Sequence, residues 1–171
     1  MRSLLGLPIP EVMMIAGSVL DILIYVFDHF MLDEVPYVPE REDLARRLEI
    51  AGFASTHVER ALDWLTELAS LRHRPALPST GSAVRIYCDG ELMRLSTECR
   101  GLLLMLERCG ALGAQQREIV VERLLALDAE ELGVEQLKWV VMMVLSSQPG
   151  QERAFARLED FATVAQPARM H

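Results

Sequence analysis

Apolar residues return along this chain every three or four positions, the spacing of helices with one buried face. Leu20, Leu23, Ile24, Phe27, Phe30 and Met31 mark a first helix from Ser18 to Leu32, with Ser18 as its N-cap. Pro36 and Pro39 separate it from a second, residues 40–51, with acids early and arginines late as the helix dipole favours. Gly52 is its stop, and Thr56 with Glu59 predicts a capping box for a third helix to Leu71. Val58, Ala61, Leu62, Leu65 and Leu68 point inward on that helix. The second and third form a helix–turn–helix pair. Residues 75–83, PALPSTGSA, break the pattern. Val84-Arg85-Ile86-Tyr87 alternates as a short strand or extended arm, and Asp89-Gly90 reads as a turn. Helical spacing then resumes over residues 96–109, 114–127 and 134–146. The VVMMVL run of the last is apolar all round and belongs at the centre of the fold. A final amphipathic helix carries Ala154, Phe155, Leu158 and Phe161.

The expectation is an all-α protein of about seven helices. A smaller helical unit (19–73) and a larger one (84–165) flank a linker (74–83). An extension (1–18) precedes them and a tail (166–171) follows. The extension lacks helical periodicity and is read as a loose tail or a misplaced start, with Met14 and Val19 as internal alternatives.

Composition agrees. Of 171 residues, 51% are hydrophobic and only 6% aromatic, a helix-rich globular mixture. Residues 12–32 are long enough to suggest a membrane span, but Asp21, Asp28 and His29 interrupt them. An Asp at a bilayer centre costs about 2.5–3.5 kcal/mol. A soluble, cytoplasmic protein is expected, with Cys88, Cys99 and Cys109 as reduced and mostly buried thiols.

Charge excludes more. Seventeen basic residues against 25 acidic ones give a net charge of −8. Phosphate neutralisation drives nucleic-acid affinity, so nucleic acid is an improbable partner. The one candidate surface is the pair 40–71, with Arg60 on its second helix and Arg72 and Arg74 at its end. Glu59, Asp63 and Glu67 share that helix and repel phosphates. No cofactor or metal is expected. The histidines fall in separate segments, and no phosphate-binding glycine loop occurs. Glu118 and Glu122 imitate a carboxylate pair, but neighbouring Arg117 and Arg123 make a solvated, mixed-charge face the expected reading. No catalytic residues are assigned.

An unidentified protein partner is expected instead. Arg85, Tyr87, Arg94, Arg100, Lys138 and Trp139 are of types common at interfaces, and several stand beside strongly apolar residues. The competing reading puts Tyr87 and Trp139 in the core and pairs the arginines with Glu91, Glu98 or Glu107.

From Val84 onward the order of residues is distinctive. Arg85-Ile86-Tyr87, Glu91, Arg94-Leu95, Cys99-Arg100-Gly101, Leu104, Glu107, Arg117-Glu118, Glu122-Arg123, Leu127-Asp128, Leu137-Lys138-Trp139-Val140-Val141 and Pro149-Gly150 together resemble the bacterial Smg family. Asp21 to Phe27 and Ala61 to Leu65 match the same pattern. The resemblance spans about residues 20–165. The chain departs from it in residues 1–18, and around Leu102–Leu106 and Ser146-Ser147, where the family often carries Phe. The family is functionally uncharacterised, so the resemblance implies no catalytic residues. The reading is a non-catalytic adaptor or regulatory protein. The alternative is a DNA-associated factor using residues 40–71.

Overall fold

The computed structural model describes residues 17–31, 39–71, 85–129 and 132–147. Seven α-helices occur among them: α1 (Val19–Val26), α2 (Arg41–Ile50), α3 (Ser55–Leu71), α4 (Asp89–Arg94), α5 (Thr97–Arg108), α6 (Ala114–Leu125) and α7 (Val134–Ser146). The fold is all-α, with no strand among the described residues. Leu95 and Leu132 make one isolated parallel bridge. The linker 74–83 and the amphipathic segment around Ala154–Phe161 lie outside the described residues. So do the extension through residue 16 and the tail 166–171.

Ser18 caps α1. Its hydroxyl accepts the Asp21 N–H, and Asp21 in turn accepts from the Ser18 backbone at 2.8 Å. Asp21 is therefore committed to the cap. From Phe27 to Met31 the helix widens into a π-helical turn, in which His29 stacks on Tyr25 with ring centroids 4.0 Å apart. No helix among the described residues is long and apolar enough to cross a membrane.

Gly52 ends α2 with φ +100°, a left-handed conformation that glycine adopts without a Cβ clash. Helix α3 starts at Ser55, a residue before the expected Thr56 cap. Thr56 thus lies inside the helix rather than at its N-cap, and the Ala54 carbonyl accepts the His57 and Val58 N–H groups. Glu59 instead receives Arg41 at 2.7 Å, and Asp63 receives the same guanidinium at 2.8 Å. These contacts fasten α2 to α3.

Two other local expectations change. Residues 85–88 are extended but join no strand, and Asp89-Gly90 opens helix α4 rather than a turn. The Glu91 carboxylate accepts the Cys88 N–H at 2.9 Å, with acids in the first turn and Arg94 in the last. This cap from the Glu91 carboxylate thus overcomes the turn tendency of Asp-Gly.

Helix α7 is central, as its all-round apolar pattern predicts. Every residue from Trp139 to Leu145 is buried. It packs most closely on α6, and α5 packs on both. Helix α1 lies on α3, which reaches across to α6. One hydrophobic cluster joins all these helices. Phe27 meets Trp139 edge-on, at a centroid distance of 6.3 Å. Trp64 donates its indole N–H to the Arg123 carbonyl at 2.8 Å, in a buried position.

That last bond is the simplest test of the joint between α3 and α6. Trp64→Phe keeps an aromatic ring but leaves the Arg123 carbonyl unpaired. A loss of about 1–3 kcal/mol is expected in urea unfolding. A loss under about 0.5 kcal/mol would show that the bond does not hold α3 to α6.

Candidate functional site

The segment 85–95 lies along α6 and is pinned at both ends. Near the start of α6, Arg85 donates to Glu118 at 2.8 Å and to Glu91 at 2.7 Å. Its guanidinium also lies over the Tyr87 ring, 4.3 Å from the centroid. Glu118 is shared with Arg117, whose other end donates to Glu107 of α5 at 2.5 Å. A continuous chain of charges results: Glu91, Arg85, Glu118, Arg117, Glu107.

Near the far end of α6, Arg94 donates to the carbonyls of Leu125, Leu127 and Ala129 at 2.5, 2.7 and 3.0 Å. A guanidinium there satisfies acceptors that a helix terminus leaves open and complements its dipole. The Arg94 carbonyl in turn accepts the Leu132 N–H at 3.0 Å.

Electrostatics follow from this geometry. Hydrogen bonds from Arg85 hold the Glu91 carboxyl down to about 2, against an opposing effect of burial. Burial pushes the Glu118 carboxyl up, but hydrogen bonds from Arg85 and Arg117 outweigh it and leave it low. Burial lowers the Arg117 pKa, yet hydrogen bonds from Glu107 and Glu118 raise it overall. Burial likewise raises the Tyr87 phenol. These carboxylates are held ionised and saturated with donors. A general acid needs the opposite environment. Among the described residues, no group of three His, Cys, Asp or Glu side chains is placed to hold a metal ion.

The sequence-derived residues fall into several places. Arg85 and Tyr87 meet in the charge network, and Arg94 closes the far end of α6. Arg100 bonds Thr97 within α5 at 2.9 Å, and Lys138 pairs with Glu135 on α7 at 2.8 Å. Neither joins the network. Trp139 is only 7% exposed and packs in the core. Arg60 pairs with Asp128 at 2.6 Å, while Arg72 and Arg74 lie outside the described residues.

The face expected to be solvated around Glu118 and Glu122 is so only at its carboxylates: Glu122 is exposed and Glu118 partly exposed. Arg117 and Arg123 are buried, because α6 is enclosed by α3, α5, α7 and the 85–95 segment. Arg123 pairs with Glu67 and Glu122, and its guanidinium stands 5.8 Å from the Trp64 ring centroid. Glu118 and Glu122 belong to different clusters and form no carboxylate pair. Cys99 is buried and Cys109 partly so, but Cys88 is exposed.

Sequence reasoning weighed Glu91 and Glu107 only as one-to-one partners for arginines and missed their union through Glu118. The available signal was the alternation at 85–88. An extended segment with Arg and Tyr on one side and Ile on the other needs a charged surface to lie against.

A model of the family described as "Protein of unknown function (DUF494)" matches residues 19–171. The chain belongs to the DUF494 family. Among its relatives is a "Protein Smg homolog" of Stenotrophomonas maltophilia (strain K279a), 43% identical over 90% of this chain and 98% of its own length. One of the same name from Xanthomonas campestris pv. campestris (strain B100) is also 43% identical over the same shares. Another, from Nitrosococcus oceani, is 46% identical over 84% of this chain and 91% of its own. No solved structure matches this DUF494 chain.

Two predictions follow from the charges. Glu91 ionises more readily folded than unfolded, so its contribution to stability is complete above its ordinary value of 4.5 and is lost as pH falls toward about 2. Acid titration of the melting temperature is expected to show this fall, and Glu91→Gln to flatten it. Equal acid slopes in both proteins would contradict the assignment.

The second concerns nucleic acid. The exposed side of α3 carries Glu59 and Asp63, and Arg41 and Arg60 are already paired with carboxylates. No binding to random duplex DNA is expected by fluorescence anisotropy at about 150 mM salt. Micromolar affinity that collapses with added salt, and vanishes in Arg60→Glu/Arg72→Glu/Arg74→Glu, would reverse that conclusion.

Proposed function

We propose that this DUF494 protein is a non-catalytic adaptor or regulatory protein of the bacterial cytoplasm. It engages a protein partner through the outer edge of residues 85–94. The observation that carries this reading is an inversion of the usual pattern. Along that segment the charged and polar residues Arg85, Tyr87, Glu91 and Arg94 face the protein. Ile86 and Met93 stand in solvent, 88% and 84% exposed. Exposed apolar side chains on a firmly anchored segment are characteristic of docking surfaces. The anchors hold the backbone in place, so a partner meets a preorganised edge with little ordering cost.

The test is affinity capture from the native host with quantitative mass spectrometry. A partner retained by the wild-type chain is expected to be lost from Ile86→Asp/Met93→Asp. Both positions are exposed, so the melting temperature is expected to change little. Equal retention by a folded double variant would rule out this edge as the docking site.

A further inference from the structure

The apolar edge at residues 85–94 also carries an electrostatic sign, set by the direction in which its ion pairs point. Arg85, Arg117 and Arg123 are the buried members of their pairs, with side chains 6–13% exposed. The carboxylates that answer them lie further out, with the Glu118 side chain 35% and that of Glu122 42% exposed. An ion pair with its cation inside and its anion outside is neutral in sum, yet it shows water a negative end.

These negative ends run beside the apolar residues. Glu122 lies four residues after Glu118 and three before Leu125, on the same side of α6. Arg85 reaches Glu118 and Arg94 reaches the Leu125 carbonyl, so Glu122 falls between the two anchor points of the segment. On α4, exposed Asp89 stands four residues before exposed Met93, on one side of that helix. Arg85 and Arg94, the cations of the segment itself, are turned inward onto carboxylates and backbone carbonyls. The outward face therefore combines Ile86 and Met93 with a carboxylate rim.

We propose that the occupant of this edge is a basic amphipathic segment of a partner protein, in which lysines or arginines flank apolar residues. The proposal rests on the adaptor reading and adds the chemistry of the partner. The apolar part covers Ile86 and Met93, and the flanking cations meet Asp89 and Glu122. Complementary charge of this kind steers encounter and rejects wrong partners more than it adds affinity. The net charge of −8 acts in the same direction at longer range. Nucleic acid, anionic lipid and acidic segments are repelled by the same carboxylates.

The probes are two fluorescein-labelled peptides of one amphipathic helical pattern, the first of Leu and Lys and the second of Leu and Glu. Fluorescence anisotropy reads their binding to the full chain. The Leu/Lys peptide is expected to bind at least about tenfold more tightly, and to lose about tenfold on Ile86→Ser/Met93→Ser, which keeps the charge constant. Asp89→Lys/Glu122→Lys is expected to reverse the preference between the peptides. Where those lysines lower the melting temperature, Asp89→Asn/Glu122→Gln is the variant read instead, with an expected loss of about threefold. Glu42→Lys/Glu49→Lys places the same charge change on the exposed side of α2 and is expected to leave binding within about twofold. Equal binding of both peptides would overturn the proposal. So would indifference to the serine or carboxylate variants, or an equal loss in the α2 variant. If the peptides fail in this way while native capture is still lost in Ile86→Asp/Met93→Asp, the adaptor reading stands and the basic partner falls. A native partner retained by that variant removes both.

Discussion

The enclosure of α6 is the constraint on which the other arrangements depend. This helix touches α3, α5 and α7, and the 85–95 segment lies along it. Half of its residues are buried, two arginines among them, and its sequence AQQREIVVERLL is half polar or charged. Buried guanidinium groups are costly unless their donors are satisfied. Each cation on α6 has therefore drawn carboxylates from elsewhere. Arg117 takes Glu107 from α5, while Arg123 takes Glu67 from α3. The contacts that relieve α6 are the same contacts that fix its neighbours in place.

Helices α3 and α6 consequently share more than an apolar core. Trp64 enters between α3 and α6 with its indole N–H on a backbone carbonyl and its ring near Arg123. Across the molecule, Phe27 and Trp139 bring the end of α1 against α7. Large side chains with a polar handle can join elements in this way because one group both fills volume and satisfies an acceptor. Residues that resemble interface anchors in a bare sequence are here anchors between helices of one chain.

Helix positions were largely legible in the sequence. Ser18, Gly52, Ser96 and the apolar run of α7 act through local chemistry, and local chemistry is visible in order and spacing. What escaped was long-range. Arg117 and Arg123 look like surface charges on an amphipathic helix, because sequence does not reveal how many neighbours surround that helix. Asp89-Gly90 looks like a turn because the cap closed by Glu91 also depends on where Arg85 holds that carboxylate. Thr56 and Glu59 fit a capping box, yet the helix begins a residue earlier, at Ser55, and the Glu59 carboxylate pairs with Arg41 of the preceding helix. Within the candidate site, Arg85 and Tyr87 were identifiable by type. Glu118 as the hub that joins Arg85 to Arg117 was not, since it lies 33 positions from Arg85.

The two clamps on the 85–95 segment differ in what they demand of the rest of the chain. Arg85 is held by two carboxylates, so its grip is specified by residue identity at Glu91 and Glu118. Arg94 is held by three carbonyl oxygens, which every amino acid supplies. Side chains at Leu125, Leu127 and Ala129 are free to drift as far as Arg94 is concerned, provided the backbone keeps its path. An insertion or deletion in the turn after α6 would misplace the acceptors beyond Leu125. One end of the segment is thus encoded in letters, and the other in loop length.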